Sequence, residues 1–419
     1  MTVMAENPRK TAFEQRRNRE RRRQYAVTFA AFAILAVAWL IGRSTVQADH
    51  SPFALDVLPG AERVEPLDGG LFAGYGADET GEPVIVGYAM AGSATGYGGP
   101  LTLMVGTDTA GSIIGVKVVD NRETPNFFNQ LERNGFYGQF DGSDYADSLV
   151  VGSDIDGVSG ATLSSEGVAQ SIRNAVRDIG ALAVDGAVIP PIQQNVKFGA
   201  PEAALIALFV VSFFLHRLKR RPQIKRYGRW VVLLTGLLVL GFVLNKPFTL
   251  ANVITLLSGY WPGWHTNLYW FLLLGGILTV TTIQGKNPYC SWFCPFGAAQ
   301  ELLGSLTGAK VYQPRALYSK LRWLQRGLSF SAIVLGLALR QPGAASYEPF
   351  GTLFDLQGSW PQWLLLALVL FGSLVVSRPF CNYLCPLDPV VDYIGEFRRL
   401  GKSLWQQRNS AAATSDNAS

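Results

Sequence analysis

The four cysteines of the chain lie in two near-copies of one short motif, Cys-x3-Cys-Pro. The first copy holds Cys290 and Cys294, and the second holds Cys381 and Cys385. Four thiolates brought together suit zinc or an iron–sulfur cluster. Free buried cysteine is the ordinary alternative, but it predicts scattered positions rather than a repeated motif. The spacing differs from that of the common zinc modules, so it favours an iron–sulfur centre over zinc and leaves the type of cluster open.

A second candidate for chemistry is a loop of small residues, 156–165, with the sequence Asp-Gly-Val-Ser-Gly-Ala-Thr-Leu-Ser-Ser. It precedes a segment whose apolar residues recur at helical spacing, namely Val168, Ile172, Val176 and Ile179. A helix amino terminus offers backbone N–H groups and the positive end of the helix dipole, which suit a phosphate. Gly160 and Ala161 leave space around the hydroxyl of Thr162.

The elements around this loop predict an α+β domain. The helix is expected to begin near Ser164, with Ser164 or Ser165 as its cap and Glu166 in its first turn. Such a plain cap is the alternative to a phosphate site, and the residues alone do not separate the two. Apolar and β-branched runs bounded by glycine and aspartate predict strands at 83–90, 101–105 and 111–119.

Charge divides the chain into regions. Residues 1–24 carry eight Lys/Arg and three Asp/Glu, whereas residues 44–200 carry 20 Asp/Glu and seven Lys/Arg. The net charge of +5 would permit nucleic-acid binding. However, the basic residues flank apolar segments, where they set membrane topology. We therefore expect membrane lipid, and no nucleic acid, as a partner.

Six segments are candidates to cross a bilayer, for which a helix needs about 20 residues, and several of them are short for a full span. They are about 25–42, 201–216, 229–245, 267–284, 327–340 and 361–377. Basic residues crowd alternate connections, so that 217–229 has seven and 341–360 has none. The positive-inside rule then places both chain ends in the cytoplasm of a bacterial cell. Both cysteine motifs fall at the cytoplasmic face, where the reducing environment disfavours disulfides.

The expected organisation follows from these spans. It comprises a basic cytoplasmic amino terminus (1–24), a membrane anchor (25–42), a periplasmic domain (43–200), a five-helix membrane domain (201–395) and a cytoplasmic tail (396–419). The fold class is therefore an α+β periplasmic domain joined to an α-helical polytopic domain in the inner membrane.

The loop before the helix resembles a known motif. Ser159-Gly160-Ala161-Thr162, followed by Ser164, is similar to the flavinylation signature of FMN-binding domains. These domains occur in the Rnf complex, in sodium-pumping NADH:quinone oxidoreductase and in NosR-type proteins. In that family a periplasmic flavin transferase joins FMN through its phosphate to the threonine hydroxyl. The resemblance implies covalent FMN on Thr162, with Asp156 as the acidic residue that precedes the motif.

Two further segments resemble the same family. Glu123-Thr124-Pro125 is similar to its Glu-Thr-Pro-Gly segment, which lies near the flavin, although Asn126 stands here in place of the glycine. The loop 96–98, Gly-Tyr-Gly, is similar to the family's loop before a core strand. The resemblance implies that Glu123, Thr124 and Tyr97 lie beside the flavin.

The cysteine-bearing half resembles the NosR/NapH-type membrane domain, which is defined by the paired Cys-x3-Cys-Pro motif. The combination of both halves resembles the NosR/NirI/PceC-type membrane flavoproteins. NosR-type members commonly continue into a ferredoxin domain with eight cysteines. This chain instead ends in Ser-, Ala- and Asn-rich residues that we expect to be disordered. A separate ferredoxin-like partner is therefore expected.

Topology and resemblance together predict transmembrane electron transfer. A cytoplasmic ferredoxin-like protein or a quinol is the expected donor, and a periplasmic reductase is the expected acceptor. The hydrocarbon layer is about 30 Å thick, so we expect a quinone or a second flavin between the two centres. The alternatives are a membrane redox sensor or regulator and a maturation factor for a periplasmic reductase. Whether the chain itself catalyses quinol or ferredoxin oxidation is left open.

Overall fold

The structure has a soluble α+β half and a helical half. It is a computed structural model, which describes residues 8–44, 50–78, 80–96, 98–123, 125–191, 196, 198–218, 220–265, 267–285, 287–311, 315–343, 345, 347–356, 358–395, 398 and 405.

The soluble half is built on one antiparallel sheet whose five strands follow chain order. The strands are β1 (Arg63–Pro66), β2 (Leu71–Ala77), β3 (Pro83–Thr95), β4 (Pro100–Thr107) and β5 (Ile113–Asn121). The three predicted strands are confirmed as β3, β4 and β5. The helices of this half are α2 (Ser51–Asp56), α3 (Pro125–Arg133) and α4 (Thr162–Ala183), with single 3-10 turns at Asp68–Gly70 and Phe136–Phe140.

Both faces of the sheet are covered, and strand β4 shows why. Successive side chains of a strand point to opposite faces. Leu101, Leu103 and Val105 of β4 accordingly share one core with the apolar face of α4, whereas Met104 packs into a second core with α2. On one face of the sheet, helix α4 therefore packs directly against the central strands.

The start of α4 differs from the prediction. The helix begins at Thr162 with Ala161 as its N-cap residue, so neither Ser164 nor Ser165 caps it. Both serines are buried in the first turn, where other partners take their hydroxyls. Ser164 donates to the carboxylate of Glu123 (3.2 Å), and Ser165 donates to the carbonyl of Ala161 (3.1 Å). Glu166 consequently falls beyond the first turn.

The helical half and the anchor contain the remaining elements. They are α1 (Pro8–Ser44), α5 (Ala200–Arg217), α6 (Pro222–Thr235), α7 (Leu250–Ser258), α8 (Leu268–Gln284), α9 (Pro295–Thr307), α10 (Arg315–Ala338), α11 (Phe350–Phe354), α12 (Trp360–Ser373) and α13 (Pro379–Tyr383). Helix α6 continues as a π-helical segment, Gly236–Val243, and a π-helical turn spans Tyr289–Phe293.

Among the described residues, three helices are long and apolar enough to cross a membrane: Tyr25–Ser44, Ala200–Arg217 and Pro222–Val243. Two shorter apolar helices are α8 and α12. Each predicted span falls on a helix of the structure, and the span expected at 327–340 forms the second half of α10. Large apolar side chains such as Phe29, Phe214 and Phe371 are exposed on this half. Soluble monomers rarely show so much apolar surface, so the chain is a membrane protein.

Candidate functional site

Thr162 is an exposed residue at the first position of α4. Its neighbour Ala161 is buried and donates its N–H to the carbonyl of Val158 (2.9 Å). Gly160 has a φ of 81°, in the left-handed region that glycine adopts without steric cost. The motif therefore anchors a buried alanine and leaves the adjacent threonine accessible.

Glu123 joins three of the predicted segments. Its carboxylate is buried and accepts the Gly98 N–H (3.0 Å) and the Ser164 hydroxyl (3.2 Å). A Cβ atom added at Gly96 would clash with this carboxylate, so the loop can approach only because that residue is glycine. Tyr97 and Thr124 lie outside the described residues.

Asp156 and Ser159 are exposed on the approach to Thr162. The main chain of Asp156 is fixed by Gln139, whose Oε1 accepts its N–H (2.8 Å) and whose Nε2 donates to its carbonyl (3.2 Å). The backbone ahead of the motif is therefore held to the turn Phe136–Phe140, while the Asp156 carboxylate faces solvent.

A cleft separates this motif from the helical half. It is lined by 159–164 on one side and by 242–246 and Asp355 on the other, with a volume of about 370 Å³. That volume lies within the range of roughly 300–1,000 Å³ typical of small-molecule sites. Sequence reasoning missed Lys246 and Asp355 because they lie far along the chain. The isolation of Lys246 as the one Lys or Arg of 246–266 was the available signal.

The two cysteine motifs are held together by side chains. Gln300 of α9 donates to Sγ of Cys381 (3.3 Å) and accepts the N–H of Phe380 (3.0 Å). Arg378 donates from Nη1 to the carbonyl of Cys290 (2.9 Å). Gln300, which follows the first motif, therefore bonds to a cysteine of the second, and Arg378, which precedes the second motif, bonds to a cysteine of the first.

Helix α10 supports the second motif from behind. The side-chain nitrogen of the buried Gln325 donates to the carbonyls of Cys385 (2.9 Å) and Cys381 (3.3 Å). The hydroxyl of Ser329 donates to the carbonyl of Pro386 (2.8 Å). These bonds fix the backbone that carries both cysteines, and neither donor was identified from the sequence.

The four thiols are buried or line a cavity. Cys294 and Cys385 are buried, and Cys290 and Cys381 line a cavity of about 540 Å³. Around one zinc ion, bonds of 2.3 Å would place the sulfurs ~3.8 Å apart. Among the described residues, no three His, Cys, Asp or Glu side chains are grouped to hold one ion. Four cysteine thiolates are the ligand set of [2Fe–2S] and [4Fe–4S] clusters.

A carboxylate lies between two arginines beside this site. Glu301 of α9 accepts from Nη2 of Arg229 (2.8 Å) and also pairs with Arg378. Arg378 has a φ of 53°, which is uncommon for a residue with a side chain and occurs most often where surrounding contacts require it. The network links α6, α9 and the second cysteine motif.

Loops from the two ends of the helical half meet at the cysteines. The Phe248 N–H donates to the hydroxyl of Tyr289 (2.7 Å), and the rings of these two residues are 5.8 Å apart. Tyr289 directly precedes Cys290, and Phe248 follows Lys246 by two residues. Two residues span at most about 7 Å, so the first cysteine motif lies close to the cleft beside Thr162.

Comparison with known families agrees with this geometry. A family described as "FMN-binding domain" matches residues 96–177, which include Glu123 and Thr162. A family described as "4Fe-4S binding domain" matches 266–313 and 359–403, so that each stretch contains one cysteine motif. The chain is therefore a membrane protein with an FMN-binding domain and an iron–sulfur domain, and a redox role follows.

The relatives narrow the class. Protein NirI of Paracoccus denitrificans is 34% identical over 236 residues, which cover 52% of this chain and 34% of NirI. Regulatory protein NosR of Pseudomonas aeruginosa is 30% identical over 210 residues, covering 46% of this chain and 29% of NosR. One component of the ion-translocating oxidoreductase complex of Stutzerimonas stutzeri is 29% identical over 171 residues, covering 34% of this chain and 74% of that component.

The domain pair and these relatives confirm the predicted resemblance to NosR/NirI-type proteins. The chain spans about a third of the length of NirI and NosR.

Proposed function

We propose that this chain carries electrons across the bacterial inner membrane, from a donor at the cytoplasmic face to a reductase in the periplasm. The carriers are FMN, bound through a phosphoester to Thr162, and an iron–sulfur cluster on the four cysteines. One observation carries the proposal. The exposed Thr162 lies at a cleft lined by Lys246. Two residues after Lys246, the N–H of Phe248 donates to the hydroxyl of Tyr289, which directly precedes Cys290.

The proposed topology has six spans: α1, α5, α6 with its π-helical extension, α8, α10 and α12. The acidic domain 43–200 lies in the periplasm, and both chain ends lie in the cytoplasm. The alternation of basic and nearly uncharged connections supports this arrangement. The contact of the soluble half with residues 242–246, at the end of the α6 span, also supports it.

The contact between the segments that carry Phe248 and Tyr289 reduces the distance that electrons must cross. The backbone of Phe293 packs against Gly236 so closely that an added Cβ would clash. From Gly236 to Lys246 the chain advances ten residues, or about 15 Å at the helical rise of 1.5 Å per residue. This is about half of the ~30 Å hydrocarbon layer. We therefore propose that electrons cross less than the full layer between the two centres, with a quinone or a second flavin as the expected intermediate carrier.

Bound flavin supplies one- and two-electron chemistry, while the protein orients it and sets its electrostatics. Glu123 supports the backbone of the loop 96–98 and the first turn of α4, and Gly160 allows the bend that leaves Thr162 accessible. Three partners follow from the proposal: a periplasmic flavin transferase, a ferredoxin-like protein or quinol as donor, and a periplasmic reductase as acceptor. Oxidation of that donor at the cysteine site would be the chain's own reaction.

Covalent attachment is tested by co-expression with a flavin transferase and fluorescence of the protein in a denaturing gel. We expect a fluorescent band for the wild type and for Ser153→Ala, which removes an exposed hydroxyl ahead of the motif. Thr162→Ala should lose the band. Fluorescence retained in Thr162→Ala would overturn the proposal at its first step.

Electron transfer is tested in inverted membrane vesicles, whose cytoplasmic face is outward. A reduced ferredoxin or a quinol should bleach the flavin absorbance of the wild type. Cys381→Ser should abolish bleaching by ferredoxin while the gel fluorescence stays unchanged. Equal bleaching in the cysteine variant would remove the cysteine site from the path.

A regulatory role is the second candidate, because one relative is called a regulatory protein. Deletion of the chain separates the two roles. Unchanged transcript levels of the partner reductase, with activity restored by an artificial electron donor, favour electron delivery over sensing. Loss of metal from that reductase would instead indicate a maturation factor.

A further inference from the structure

The cleft beside Thr162 has walls from both halves of the chain. The motif 159–164 forms one wall, and the end of the π-helical segment with residues 242–246 forms the other. Thr162 is exposed at this cleft. A group attached to its hydroxyl therefore has a place to rest against the membrane domain.

Lys246 is the one cationic side chain among the described residues that line the cleft. Its backbone is fixed, because its N–H donates to the Leu240 carbonyl (3.1 Å) and its carbonyl accepts the Tyr269 hydroxyl (3.0 Å). Its ammonium lies 5.5 Å from the centre of the Tyr269 ring. Lys246 also lines a narrower neighbouring cavity with Gly96 and Leu163, so it stands between the two openings that face the soluble half.

The chemistry of the cleft suits an attached phosphate. A phosphodiester carries one negative charge, and a partly enclosed charge is costly unless it is paired. Lysine is a common phosphate partner that acts as a compact point charge. The facing carboxyl group, Asp355, accepts a hydrogen bond from Asn245, and its Oδ2 is buried without a partner among the described residues. Burial raises the pKa of this carboxyl group above its ordinary value.

From this arrangement we propose that the cleft is the resting site of the flavin carried by Thr162, with Lys246 as the cation that pairs with its phosphodiester. The site holds the flavin against the membrane domain instead of leaving it free to swing on its tether. This inference rests on the proposed function, since it requires FMN on Thr162.

The test is time-resolved fluorescence anisotropy of the flavinylated full-length protein in nanodiscs at low ionic strength. In the wild type, the flavin should rotate only with the whole particle. Lys246→Gln should add a fast component, because the flavin gains independent motion on its tether. Lys117→Gln is the matched control, since Lys117 pairs with Asp56 (3.5 Å) on the soluble domain and does not line the cleft.

The outcomes separate this inference from the proposed function. Gel fluorescence that is retained in Lys246→Gln, with anisotropy equal to the wild type, overturns the role of Lys246 while leaving covalent FMN intact. The wild type provides a second measurement that does not depend on how a variant folds. A fast component already present at low salt overturns the resting site. A fast component that appears only as the salt concentration rises supports a cation–phosphate contact, because salt screens such pairs.

Discussion

Nη1 of Arg122 lies 2.7 Å from the carbonyl oxygen of Leu339 and so joins the soluble half of the chain to the membrane half. Arg122 directly precedes Glu123, and its Nε donates to Asp120 (3.0 Å). Leu339 directly follows helix α10. The bond therefore holds the segment before Glu123 to the end of helix α10.

Removing this bond should loosen the cleft. We expect Arg122→Gln to speed hydrogen exchange of backbone amides at 159–164 and 242–246, because a charge-assisted bond contributes about 1.5–3 kcal/mol. Arg63→Gln is the control, since Arg63 pairs with Glu65 on the exposed strand β1. Mass spectrometry of the intact protein in nanodiscs gives the rates. Equal rates in both variants would mean that other contacts hold the halves together.

The backbone at Gly160 should be sensitive to any side chain. Its φ of 81° costs a non-glycine residue about 1–2 kcal/mol. Gly160→Ala should therefore reduce covalent FMN per chain, measured by gel fluorescence against total protein. Gly138→Ala has open space for its Cβ and no positive φ, and it should match the wild type. A wild-type flavin content in Gly160→Ala would show that the bend is not needed for attachment.

The carboxylate between two arginines should stabilise the cysteine site. Glu301→Gln leaves Arg229 and Arg378 without their shared anion, and we expect a loss of about 1–3 kcal/mol. The measurement is iron and sulfide per chain after purification, which should fall. Glu132→Gln, an exposed change in the soluble half, should keep the wild-type content. An unchanged iron content in Glu301→Gln would mean that the ion pairs of Glu301 with the two arginines do not stabilise the cysteine site.

The hydroxyl of Tyr289 should matter beyond its ring. Tyr289→Phe keeps the ring contacts with Phe248 and Phe293 but leaves the buried Phe248 N–H without its acceptor. Such a loss costs about 1–3 kcal/mol, so the melting temperature in detergent should fall. Flavin reduction from the cytoplasmic side should also slow. Tyr393→Phe, an exposed change, serves as the control, and equal rates in both would exclude this bond from the path.

The loop before the flavin motif should respond to acid through Asp154. This carboxylate accepts the Ser148 hydroxyl and the N–H groups of Leu149 and Val150. Burial raises its pKa, but these bonds outweigh that effect and hold the pKa of Asp154 below its ordinary value. A lowered folded pKa contributes stability above the unfolded value of about 3.9, and that stability is lost as pH falls through the folded pKa.

Asp154→Asn should accordingly destabilise the soluble half at pH 7, by about 1 kcal/mol, because solvent screens the bonds of this exposed carboxylate. The difference from the wild type should narrow below about pH 3.9. Thermal unfolding of the full chain across this pH range is the measurement, and the exposed change Asp141→Asn is the control. A difference that stays constant with pH would mean that the carboxylate's charge is not involved.

The sequence predicted those parts of the fold that depend on local pattern. Strands β3 to β5 and the three helices long and apolar enough to cross a membrane follow from alternation and runs of apolar residues. Strand β1 is only four residues long, and β2 contains Gly74 and Gly76, whose missing side chains make room for Leu58 and the Gly60 backbone. Neither strand has the β-branched pattern that identifies a strand.

Contacts between distant residues could not be predicted. Arg229 and Glu301 are 72 positions apart, and Lys246 reaches the cleft only because the two halves dock. Each of these residues has an ordinary local context. The prediction that a serine caps α4 was wrong for a related reason, since the Ser164 hydroxyl donates to the carboxylate of Glu123, 41 positions away.

The loops that meet at the cysteines also constrain the order in which the protein is made. Tyr347 donates its hydroxyl to the carbonyl of Leu384 (2.7 Å), just as Phe248 donates to Tyr289. In both pairs the residue earlier in the chain is synthesised before its partner at the cysteine motif. Because chains are made and folded from the amino end, the segments around Phe248 and Tyr347 exist before the residues that they hold. The four-cysteine site can therefore be complete only after both of these segments have been made.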